Sequence, residues 1–165
     1  MSDEHRELPS DRLWQPTTGK WFAVIFGASL AYAVVRYHLA GDVDWRHLPL
    51  FIFNKATSLA AVFFVASSYL IGKIIRWHDY DPALRLVVIK FCGLMGFFLA
   101  AVHGFFSLAL LSPAYYGKYF DDAGRLNLQG EIAMTVGVIA LFFLLAPAIT
   151  TMPGMPKAIG GWRWK

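Results

Sequence analysis

Four stretches of the chain are apolar almost throughout: about 21–40 (WFAVIFGASLAYAVVRYHLA), 51–72 (FIFNKATSLAAVFFVASSYLIG), 86–111 (LVVIKFCGLMGFFLAAVHGFFSLALL) and 131–151 (EIAMTVGVIALFFLLAPAITT). A hydrocarbon core about 30 Å thick takes about 20 helical residues to cross, so each stretch predicts a membrane-spanning helix. Apolar and polar residues do not alternate, which excludes the period-two pattern of barrel strands. Pro49 precedes the second stretch, Asp81 and Pro82 supply a cap and first turn for the third, and Ser112 with Pro113 ends it. The pattern predicts an all-α integral membrane four-helix bundle over residues 21–151, between an N-terminal tail (1–20) and a basic, aromatic C-terminal tail (152–165).

The first stretch also has the look of a secretion signal, with Ala31-Tyr32-Ala33 imitating a cleavage site. Its leader is long and mixed in charge, so an uncleaved first helix is expected.

Small residues recur along the spans. Ala23, Gly27 and Ala31 repeat every four residues on the first, Ala56 and Ala60 on the second, and Ala133 and Gly137 on the fourth. Gly93, Gly96, Ala100 and Gly104 line one side of the third. Lipid supplies no hydrophobic force between helices, and small residues let backbones approach. A compact bundle is the expectation.

Composition agrees with the pattern. Of 165 residues 57% are apolar and 16% charged, against roughly 25% charged in soluble domains, which points to lipid bilayer as a partner. The fifteen Lys and Arg lie outside or at the ends of the apolar runs, as membrane-flanking charges and not as a nucleic-acid patch. The N-terminal tail (Arg6, Arg12, Lys20), the link between spans two and three (Lys73, Arg76, Arg85, Lys90) and the C-terminal tail (Lys157, Arg163, Lys165) hold ten of them. The opposite face (Arg36, Arg46, Lys55, Lys118, Arg125) holds five. The positive-inside rule then puts both termini in the cytoplasm, in a multi-pass protein of the inner (plasma) membrane. Trp162 and Trp164, interleaved with Arg163 and Lys165, suit an interfacial anchor. Cys92 is the single cysteine, so an intrachain disulfide and cysteine-based zinc or iron–sulfur sites are excluded.

Candidate chemistry is confined to a few polar interruptions. His103 lies about eight residues, or roughly 12 Å of helix, inside the outer end of the third span. Ionisable groups at such depth are costly and usually face inward. Ala100 and Ser107 share its helical face, together with Gly96, which leaves room for a flat cofactor ligated by the imidazole. The same small residues would equally serve helix packing, with a neutral imidazole donating to the next helix. Asn54 and Lys55 open the second span and Lys90 lies near the inner end of the third; snorkelling anchors are expected there. Pro147 is expected to kink the fourth helix. His38 is on the same membrane side as His103; His47 is in the outer loop, and His5 and His78 are cytoplasmic. No His-Glu-x-x-His pattern, nucleophile motif, phosphate loop or pair of intramembrane carboxylates occurs, so the chain is not expected to be an enzyme on its own. Polar groups do not line up along a span and no inverted repeat is visible, which disfavours a transporter.

The run Cys92-Gly93-Leu94-Met95-Gly96-Phe97-Phe98-Leu99-Ala100-Ala101-Val102-His103 resembles the "LG, apolar, His" helix of the ferric-reductase-like transmembrane domain. Gly137 through Leu144, Pro147 and Thr150-Thr151 to Gly160-Gly161-Trp162-Arg163-Trp164 is similar to that domain's next helix and its basic, Trp-bearing exit. The nearest likeness is to the membrane haem-binding subunit of the methionine sulfoxide reductase system, over residues 86–165. The resemblance implies electron transport across the membrane by a b-type haem held between histidines of two helices, with His103 as one axial ligand to the metal. Family members continue with a Leu-His pair and further helices that carry the partner ligand, whereas this sequence ends at Lys165; the histidine often found before "LG" is also missing, near Ile89. The second ligand is then expected from another chain or from His38, or the haem is absent and the helices serve as a scaffold.

Two functions follow as expectations. One is an electron-transfer subunit with haem b at His103, inside a larger membrane complex. The other is a non-catalytic accessory subunit of a respiratory or photosynthetic complex, with no haem of its own.

Overall fold

The computed structural model describes residues 16–74 and 82–152. Asp81, His5, His78 and the tail with Trp162, Arg163 and Trp164 lie outside the described residues. Four long helices are long and apolar enough to cross a membrane: α1 (Pro16–Val34), α2 (Phe53–Ile74), α3 (Pro82–Ala109) and α5 (Leu128–Thr151), with a single short turn, α4 (Pro113–Tyr116), before the last. The protein is an all-α membrane helical bundle, and no strand occurs among the described residues.

α1, α3 and α5 start three to five residues before the apolar stretches that predict them and α2 ends two residues after its own, whereas α1 and α3 end before their stretches do and α2 starts two residues late. α1 starts at Pro16, where a missing N–H costs nothing in the first turn. It closes in a π-helical turn over Val35–Leu39, with Ala40 N–H donating to Val35 O at 2.8 Å. A second such turn, Leu48–Ile52, leads into α2. α5 begins with an Asn127 cap, whose side chain accepts from Gly130 N–H at 3.0 Å. Pro147 lies within α5, and the hydroxyls of Thr150 and Thr151 donate to its carbonyl.

The core is the seam between α2 and α3, the most extensive helix–helix contact in the molecule. Ala60, Ala61 and Phe64 pack there against Val87, Phe91, Cys92 and Leu99. Gly96 makes the seam possible: a Cβ at this position would stand 2.6 Å from Val65 Cγ2 and 3.0 Å from Val65 N. α1 lies on α2, through Phe22 stacked on Phe64 (5.9 Å) and through a second buried group of Ala33, Ile52 and Ala56. α5 packs on α3 and on the 117–119 turn.

The bundle is therefore less compact than the small-residue stripes predict. Ala56 and Ala60 are fully buried as expected. Ala23, Gly27 and Ala31 on α1 are exposed, as are Ala133 and Gly137 on α5. A Cβ added at Gly27, Gly93, Gly104 or Gly137 would meet nothing within 4 Å. The physical reason is the order of packing: α2 and α3 seal against each other, so α1 and α5 each have one main neighbour and leave their other sides to the surroundings.

Candidate functional site

α2 and α3 bring together the polar residues of the two most buried spans. Asn54, one residue into α2, is fully buried. His103 Nδ1 lies 2.8 Å from Asn54 Oδ1 and 3.2 Å from the Asn54 backbone carbonyl. Both oxygens only accept, so Nδ1 donates and carries the ring proton. The Asn54 amide is itself fixed, since Nδ2 donates to Ser107 Oγ and to Tyr116 OH, each at 3.0 Å. Thr57 Oγ1 donates to the Asn54 carbonyl at 2.8 Å.

This network determines the chemistry of the imidazole. With the proton on Nδ1, the neutral ring presents a bare lone pair at Nε2, for which the described residues offer no hydrogen-bond partner. A histidine whose Nδ1–H is held by an oxygen is fixed in tautomer and ring orientation, as metal-ligating histidines are.

His103 lines a cleft of about 600 Å³ between α3 and α5, within the range of ordinary cofactor pockets. Its walls are mostly apolar, including Leu108, Val138 and Leu141, and its depth comes from residues without bulk: Ala100 and Gly104 on α3, Ala133 and Gly137 on α5. Met134 is on the opposing wall, six residues from the start of α5 as His103 is six residues from the end of α3. These antiparallel helices thus set the two at matching depth.

The loop end of the cleft is built by residues 113–130. Tyr116 turns back under α4 to reach Asn54. Gly130 lets α5 start against the turn, because a Cβ there would stand 2.7 Å from Tyr119 O. Asn127 Nδ2 donates to Lys118 O at 2.9 Å and ties the same two elements. Asp121 closes the intervening loop by accepting from Ala123 N–H and Arg125 N–H, with Gly124 at φ 74° in the bend. Lys55 also lines the cleft, its ammonium over the rings of Tyr116 (4.9 Å), Phe51 (5.1 Å) and Tyr37 (5.9 Å).

His38 is not brought to this site. Its Nδ1 lies 2.7 Å from Val43 O and its ring is 3.8 Å from that of Trp45, and it does not line the cleft. His47 stands edge-on to Tyr115. No group of three metal-ligating His, Cys, Asp or Glu side chains occurs among the described residues, so His103 offers one nitrogen and not a metal cage. Sequence reasoning missed Asn54 and Tyr116. The available signal was Asn54 itself, too short to snorkel and close in depth to His103 on the next, antiparallel span.

No family model matches the chain, and neither a curated protein nor a solved structure matches it.

Proposed function

We propose that this chain is an electron-transfer subunit of a larger membrane complex and holds a b-type haem in the α3–α5 cleft, with His103 Nε2 as an axial ligand. The observation that carries the reading is the Asn54 Oδ1–His103 Nδ1 hydrogen bond, which leaves Nε2 unprotonated beside an apolar cleft. The chain's residues fit such a group: a tautomer fixed for ligation, glycines and alanines that leave a slot, and apolar walls that keep water out. When bound, the haem supplies the one-electron chemistry, and the protein tunes it by ligation, hydrogen bonding and burial. Asn54 holds the Nδ1 proton in place, Ser107 and Tyr116 hold Asn54, and the small residues of α3 and α5 keep the slot open.

Met134 lines the cleft on α5 and would offer such a group a thioether as second ligand; a histidine of a partner subunit is the other candidate. The likeness of residues 86–165 to the ferric-reductase-like domain supports the haem. The distribution of Lys and Arg supports cytoplasmic termini in an inner membrane, which puts His103 in the half of the bilayer away from the cytoplasm.

The test is a reduced-minus-oxidised spectrum of the purified protein or its complex. Haem b bands that vanish in His103→Ala are expected. Unchanged bands in that variant, or none in the folded wild type, would defeat the reading.

A second reading has its own support. α5 exposes Ile132, Val136, Phe142 and Phe143, and the Ala23, Gly27, Ala31 stripe of α1 is uncovered. A haem-free accessory subunit that packs both faces against other membrane proteins would use these surfaces. It predicts co-purifying subunits and a complex whose spectrum ignores His103→Ala.

A further inference from the structure

Lys55 is a cation with no anion. Three aromatic faces surround its ammonium at 4.9 to 5.9 Å. Ring quadrupoles attract the charge, but they do not replace the oxygen acceptors that its three N–H groups need. No carboxylate is within ion-pair distance of it among the described residues, whose one ion pair joins Arg125 to Asp121 at 3.4 Å. A half-buried charge usually has a partner.

A second ammonium completes the arrangement. Tyr116 and Tyr119, both in the cleft lining, stack at 6.2 Å between centroids. Lys55 stands 4.9 Å from the first ring and Lys118 stands 4.7 Å from the second. Two ammonium groups thus stand over a tyrosine pair at the loop end of an otherwise apolar cleft, Lys55 within its lining and Lys118, exposed, outside it. The complementary ligand is flat and apolar over most of its area and carries carboxylate along one edge.

We infer that Lys55 forms a carboxylate subsite at the loop end of the α3–α5 cleft, with Lys118 adding positive charge from outside the lining, and that the subsite receives the propionate edge of the bound porphyrin. The inference rests on the haem reading and adds an orientation to it: the propionate edge faces the 116–119 turn and the apolar edge lies deeper, between α3 and α5. Both are positioning residues and neither touches the iron.

The experiment titrates the full-length, haem-depleted protein in detergent with haem and with its dimethyl ester, which has the same macrocycle and iron but no carboxylates. Wild type should bind haem about tenfold more tightly than the ester, a modest coupling for a desolvated charge pair. Lys55→Gln should bring the two affinities together, Lys55→Arg should restore the difference, and Lys118→Gln should shrink it less, because Lys118 is more exposed. A residue that only anchors the helix would weaken both porphyrins alike and leave their ratio unchanged. Equal affinities in the wild type, or a preference that survives Lys55→Gln, would overturn the subsite while leaving the haem site intact. Uptake of neither porphyrin by folded wild-type protein would overturn the haem reading, and the subsite with it.

Discussion

α3 turns glycine toward both of its neighbours and meets them differently. On the α2 side, Gly96 is pressed so close that a single added carbon would stand 2.6 Å from Val65 Cγ2. On the α5 side, Gly104 and the facing Gly137 have no atom within 4 Å of where a Cβ would be. The first glycine removes bulk so that two backbones can touch; the second pair removes bulk and leaves the volume open, beside the imidazole of His103. Equal residue types on one helix thus produce a sealed seam and a slot. Only the surrounding contacts distinguish them.

The seam should break most readily. Gly96→Val drives branched carbons into Val65, including its backbone nitrogen, which cannot rotate away. Overpacking of this kind costs about 3 kcal/mol, read as a lowered unfolding midpoint in detergent. Retention of wild-type stability by Gly96→Val would mean that α2 and α3 do not meet closely at this point.

Next in size is Asn54→Leu, at the junction of seam and slot. The substitution removes the nearer acceptor of His103 Nδ1–H, leaving it the backbone carbonyl of residue 54 at 3.2 Å, and removes the donor that Ser107 and Tyr116 share. One to two newly unsatisfied buried groups cost about 2 kcal/mol. The same variant frees the imidazole to rotate or change tautomer, so haem content should fall further than stability does. Asn54→Asp, which keeps an acceptor for Nδ1–H, should retain the haem and lower its reduction potential, since a carboxylate makes the imidazole the stronger donor to oxidised iron. Equal haem content in wild type and Asn54→Leu would remove Asn54 from the site.

The spans were legible in the sequence because length and apolarity are local properties, and lipid imposes both. His103 was legible for a related reason: one imidazole in an apolar helix stands out without any knowledge of its neighbours. Asn54 was not, since Asn54-Lys55 at the mouth of a span has the look of an interfacial pair, and only the antiparallel register of α2 and α3 shows that it faces His103. Tyr116 lies beyond the Ser112-Pro113 stop and reaches the site because α4 folds back, which no periodicity announces. Lys55 illustrates the same limit from the other side. Its charge suggested an anchor; of the three rings around it only Phe51 is close in sequence, whereas Tyr37 comes from the first π-helical turn and Tyr116 from α4.

The smallest expected change in stability belongs to the slot, and it separates space from packing. Gly104→Leu and Gly137→Leu place side chains where nothing stands within 4 Å of the Cβ, so no clash opposes them at that first carbon. Leucine also has better helix propensity than glycine, by somewhat under 1 kcal/mol in a helix interior. Each variant should therefore unfold within about 1 kcal/mol of wild type, in contrast to Gly96→Val. Haem content should nevertheless collapse, because both positions line the cleft beside His103 and a leucine there occupies the volume a macrocycle needs. The pair of measurements is what decides: unchanged stability with lost haem bands identifies the slot as a binding cavity. Unchanged stability with unchanged bands would count against a haem in this cleft, whereas a loss of stability equal to that of Gly96→Val would show that α3 and α5 close on each other in the membrane.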